Sequence, residues 1–215
     1  MLFRSPEPPA HPLPSGLRHA LAAIAAVAIW GATAVIPAQM GDGAQPQPVA
    51  ITPAAASGWA VRQGTLAISV KQGGNDVSGQ FGQWQAKIDY APETQTGAVD
   101  VTIGIASLTL GAVGDSAKGP DFLNAATHPT ASFKAAILPP AGAGQPHIAR
   151  GTLTVAGTAI ETDLPFQLDL QGDTAKAAGQ ITVDRRDFGI GARYADEKTV
   201  GFAVAISFDL TAKRQ

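Results

Sequence analysis

From Gly58 onward, apolar and polar residues alternate with a period of two, which puts successive side chains on opposite faces of a β-strand. In "TLAISVK", Leu66, Ile68 and Val70 alternate with Thr65, Ala67 and Ser69, and in "VDVTIGI" Val99, Val101, Ile103 and Ile105 share a face. "DLPFQLDL" and "VGFAVAISFDL" repeat the pattern at greater length. Such runs predict about eight strands, near 65–71, 76–90, 97–106, 131–138, 147–156, 159–171, 174–184 and 199–211. Turn-forming stretches separate most of them: "QGGND", "APETQTG", "PPAGAGQP", "AGTA" and "QGDT". Short links between long amphipathic strands predict an antiparallel meander. With no second layer of helices, that sheet must close on itself or stack as a sandwich. Strands of this length favour an all-β, eight-stranded barrel whose interior can hold a small ligand.

The first quarter of the chain follows other rules. Residues 1–16 carry five prolines and read as an irregular lead. Residues 17–38 contain the uncharged run "ALAAIAAVAIWGATAVIPA" behind Arg4, Arg18 and His19. That predicts a hydrophobic helix, either a secretory signal ending near Ala38 or a retained membrane anchor. Residues 39–57 are rich in Gly, Ala, Gln and Pro and read as a linker. The domain expected to fold is 58–213. Both readings of the hydrophobic run place that domain outside the cytoplasm.

Composition narrows the chemistry. Lys and Arg number 15 against 17 Asp and Glu, and no basic cluster forms, so a nucleic-acid partner is not expected. With no cysteine, disulfides, thiolate metal sites and Cys nucleophiles are excluded, and the domain must be held by its core. Four histidines, two of them ahead of the hydrophobic run, are too few for a His-based metal site. Carboxylates fall singly on polar strand phases, and nucleotide-binding and Ser-hydrolase motifs do not occur. An enzyme is therefore not expected.

Two segments stand out as candidate chemistry. "DFLNAATHPTASF", Asp121 to Phe133, gathers an acid, an amide and a histidine. It reads better as one or two helical turns started by Asp121 and ended by His128 before Pro129, with Phe122 and Leu123 flooring one end of a barrel. "VDRRDFGIG", Val183 to Gly191, reads as an anion clamp built on Arg185 and Arg186, or as a charged turn returning Phe188 and Ile190 to the core.

"VKQGGNDVSGQFGQWQAKIDY", "DFLNAATHPTASF", "GTLTVAGTAIETDLPF" and "VDRRDFGIG" follow one another as they do in YceI-like proteins, which the chain resembles from about Gly58 to Lys213. The resemblance implies a lipocalin-like barrel with a short helix, in the periplasm, soluble or anchored to the inner membrane by the N-terminal helix. It implies an isoprenoid lipid or quinone as bound ligand, with no cofactor and no catalytic residues. It also suggests, as an alternative, an accessory to a membrane cytochrome b in quinone-linked electron transfer, and leaves monomer and homodimer open. Members commonly carry Lys-His where this chain has Lys71-Gln72.

Strand phase nominates the interior residues: Leu66, Ile68, Val70, Phe81, Val101, Ile103, Phe133, Ile137, Leu164, Phe166, Leu168, Phe202, Val204 and Ile206. Nearly all inward positions are aliphatic or Phe, which suits a hydrocarbon tail. The same stripe also suits a barrel filled by its own side chains. Gly79, Gly104, Ala203 and Ala205 fit either case, because small residues leave room or let backbones approach.

Overall fold

The structure, a computed structural model, describes residues 57–215. The Pro-rich lead, the hydrophobic helix with its cleavage point, and the linker up to residue 56 lie outside the described residues. Ten strands run in chain order: β1 Ser57–Gln72, β2 Asn75–Phe81, β3 Trp84–Ala91, β4 Thr96–Gly104, β5 Leu108–Thr109, β6 Thr130–Leu138, β7 His147–Val155, β8 Thr158–Gln171, β9 Thr174–Asp184 and β10 Val200–Arg214. One five-residue helix, α1, spans Gly114–Lys118.

Each long strand pairs antiparallel with its neighbour in sequence, and β10 returns to pair with β1 over most of its length. Because β2 and β3 face β1 one after the other, they act as a single interrupted strand. The result is a closed eight-stranded antiparallel β-barrel, with β5 as an added edge on β2. Closure removes the exposed edges that an open sheet of this size would carry.

The turns explain the register. Gln72 pairs with Asn75 across Gly73 and Gly74, both at positive φ, which is the two-residue turn that matches the twist of a hairpin. The upper end of the barrel holds the start of β1 and the close of β10. The lower end holds two longer connections, residues 105–129 between β4 and β6 and residues 185–199 between β9 and β10.

The eight runs expected from alternation are present, with two differences at the start. β1 begins at Ser57 rather than near 65, because a bulge between Val61 and Gln63 breaks its alternation with respect to β10. The run near 76–90 is split at Gly82 and Gln83. The short helix also lies elsewhere than expected. Residues 121–128 form turns, and the helix precedes them at 114–118. Asn124 sits at φ 46°, a left-handed conformation that stops a helix from propagating through the segment.

In two places adjacent strands of the wall part. Between β1 and its partner, pairing stops at Trp59↔Ile88 and resumes at Ala67↔Gln80 in the same register. Between β8 and β9, pairing runs only from Phe166↔Gly179 to Gln171↔Thr174, so the lower halves of both strands splay. The 3-10 turn Arg185–Phe188 fills this second parting, with Phe188 buried and its carbonyl accepting a hydrogen bond from Thr158 Oγ1 at 3.5 Å.

Candidate functional site

The barrel encloses a cavity of about 430 Å³, within the range of pockets that hold small organic ligands. Inward positions from every long strand line it, together with Leu110, Val113, Ala117, Phe122 and Leu123 from the lower connection. Among the residues nominated from strand phase, all but Phe202 are on this wall. The structure thus answers the choice between a filled and a hollow barrel in favour of a hollow one. Gly79 serves close approach instead: a Cβ there would lie 2.2 Å from the Thr109 carbonyl oxygen, which belongs to β5.

Phe202 leaves the inward phase because β10 carries two extra residues relative to β1 between Val204 and Val200. Its ring lies under two guanidinium groups instead, 3.8 Å from Arg186 and 5.1 Å from Arg185. Alternation alone could not reveal this displacement. Other lining residues follow the same phases but were not nominated, among them Trp59, Trp84, Tyr90, Ile181, Phe208 and Leu210. "WQAKIDY" already placed Trp84, Ala86, Ile88 and Tyr90 on one face, so the signal was in the sequence.

Polar groups on the lining are few. Gln72, Ser116 and Thr199 are exposed lining residues, and they mark the mouth at the lower end. The Gly73 N–H donates to the Thr199 carbonyl, which ties the β1–β2 hairpin to the start of β10 there. Phe122 stacks on Tyr194 with ring centroids 5.3 Å apart, and both line this end with Leu123. Phe122 and Leu123 therefore floor the barrel, as expected of "DFLNAATHPTASF". Asp121 has another role than starting a helix: its carboxylate faces Arg193 at 3.4 Å and its carbonyl accepts from the Gly191 N–H.

Arg185 settles the reading of "VDRRDFGIG". It is 3% exposed, and its guanidinium donates to the carbonyls of Gly201, Ile190, Gly191, Tyr194 and Val200. A guanidinium has five N–H donors, so none is left for an anion. Arg186 is engaged with Asp184, whose carboxyl its hydrogen bonds pull down to about 2. The segment is a structural turn, and Phe188 and Ile190 pack into or against the core.

The upper end is closed by aromatic packing. Trp59 and Tyr90 are buried, and the Trp59 indole N–H donates to the Tyr90 carbonyl at 3.1 Å. The Tyr90 hydroxyl hydrogen-bonds His147 Nε2 at 3.1 Å, and the imidazole packs against Phe166 with centroids 5.4 Å apart. Burial holds the His147 imidazole below its ordinary value and the Tyr90 phenol above its own, so both stay neutral near pH 7. Among the described residues, no group of three His, Cys, Asp or Glu side chains could hold a metal ion.

A closed meander barrel around an apolar cavity defines the class as a lipocalin-like binding barrel. The model of the YceI-like domain matches residues 59–212, and the chain belongs to that family, known as polyisoprenoid-binding barrel proteins. The crystal structure of Burkholderia cenocepacia BcnA is similar at 28% identity and TM-score 0.65, over 70% of this chain and 96% of that one. The Campylobacter jejuni YCEI protein shares the fold at 20% identity and TM-score 0.57, over 64% and 84% of the two chains. Among the curated proteins no match is found.

Proposed function

We propose that the barrel binds an isoprenoid lipid or quinone in its cavity and sequesters or carries it in the cell envelope, as a binding protein rather than an enzyme. The observation that carries this reading is a cavity whose wall is aliphatic and aromatic apart from its two ends. Burying about 400 Å² of hydrocarbon at roughly 25 cal/mol per Å² yields ~10 kcal/mol before association costs, enough for a lasting complex. The few polar lining groups at the mouth suit a head group left near water, with the tail inside. On this reading the domain works on the periplasmic side, soluble or tethered through its hydrophobic N-terminal run.

The test is native mass spectrometry of the protein purified from its own host, followed by organic extraction. A co-purifying prenyl lipid or quinone is the expected result. An empty barrel that also refuses added quinone and prenyl phosphate overturns the reading.

A further inference from the structure

We infer that the parting between β1 and β3 is a side port into the cavity, gated by the Trp84 indole, through which a hydrocarbon chain enters and leaves the barrel. The inference rests on the reading of the cavity as a lipid site. Trp59, Trp84, Ala86 and Ile88 line both the cavity and a groove on the outer face, which also carries the exposed Gln85, Lys87 and Asp89. Side chains alone therefore separate inside from outside along this stretch, because the ladder between Trp59↔Ile88 and Ala67↔Gln80 is missing.

The parting is built into the chain and is not a frayed end. Two irregularities face each other: the bulge at Arg62 in β1, and the break at Gly82 and Gln83 between β2 and β3. Each reverses which alternate residues point inward, so the two cancel and the strands rejoin in unchanged register. Gln63, Gly64 and Thr65 on one side, and Gln85 and Lys87 on the other, are exposed, so water can satisfy the backbone groups that a ladder would have paired.

Trp84 closes the opening from within. Its indole leans across to Gly64, where a Cβ would lie 2.9 Å from Trp84 Cζ2 and as close to Asp209 O and Leu210 Cβ of β10, so glycine leaves room both for the ring and for the neighbouring strand. Moving the gate breaks no backbone hydrogen bond and needs only a side-chain rotation. A chain entering sideways would stay against apolar surface throughout. Entry through the lower mouth would instead thread it end-first past Gln72, Ser116 and Thr199.

The protein has no native cysteine, so Val99→Cys in the full-length chain puts a single thiol on the cavity wall. Alkylation by N-ethylmaleimide then reports access to the interior with no lipid present, and Ile181→Cys serves as a second reporter should the first variant fold poorly. Trp84→Ala should speed alkylation by about tenfold or more, while Gln72→Trp at the mouth should change it by less than about twofold. Transfer of a long-tailed isoprenoid benzoquinone from phosphatidylcholine vesicles should accelerate in parallel with Trp84→Ala. Alkylation slowed by Gln72→Trp and indifferent to Trp84→Ala overturns the port. A protein that takes up none of the quinone while the thiol pattern holds rejects the lipid reading, and the side opening itself stands.

Discussion

The wall of the barrel parts in two places, and the two are closed by different means. Between β8 and β9 the gap is filled by backbone: the 3-10 turn Arg185–Phe188 lies in it, with Phe188 5% exposed and Arg185 held by five carbonyls. Between β1 and β3 the gap is covered by one half-buried ring, Trp84, resting over an exposed glycine. The first closure uses a buried, fully hydrogen-bonded charge, and such a group resists movement because leaving any partner unpaired is costly. The second has no comparable restraint. One gap is thus part of the scaffold, and the other is free to move.

The contrast is broken most severely at Arg185. Arg185→Met should destabilise the barrel by roughly 3–5 kcal/mol, the scale seen when a buried, hydrogen-bonded charged group is disrupted. Urea unfolding measures it, and a loss under about 1 kcal/mol would show that the 189–201 segment holds itself without the guanidinium. Phe188→Ala follows at about 3 kcal/mol, since it removes the buried ring by which the 3-10 turn packs into the core. Trp84→Ala, by contrast, should cost less, about 2 kcal/mol, because its half-buried ring packs against the core on one side and borders open space on the other. Equal costs for Phe188 and Trp84 would erase the distinction between scaffold and gate.

Much of the wall was legible in the sequence, because alternation depends on each strand's own residues. Leu66, Ile68 and Val70, or Val101 and Ile103, face inward for the reason that makes them a stripe. What escaped depends on how strands meet. Phe202 keeps the phase of Val204 and Ile206 on paper, yet the two extra residues that β10 carries relative to β1 turn it towards Arg186. The five carbonyls around Arg185 come from the following loop and the first two residues of β10, up to 16 residues away, and no local pattern marks them. The parting of β1 and β3 is a property of pairing, and its only residue-level trace is a glycine at 64 opposite a tryptophan at 84. The helix lies at Gly114–Lys118 and not over 121–128, because Asn124 takes a left-handed φ that Asn permits and does not require.

The finest test concerns the upper end, where both partings are anchored. Tyr90 pairs with Ser57, two residues above the Trp59↔Ile88 pair that borders the first parting, and Phe166 sits at the pair that borders the second; His147 touches both, through its hydrogen bond to Tyr90 and its tilted packing against Phe166. Burial lowers the His147 pKa below the ordinary 6.5, so beneath that pH the unfolded chain takes up a proton that the folded barrel refuses. Stability should therefore be insensitive to this group above 6.5, fall as pH drops below it, and level off once the folded-state value is passed. His147→Gln keeps a polar side chain without the titration, so its Tm should decline less than that of the wild type between about pH 7 and about pH 5. Hydrogen exchange sharpens the result: in the wild type the acid loss should loosen amides near Tyr90 and near Phe166 together. Loosening at one site alone would mean that His147 does not link the two strands.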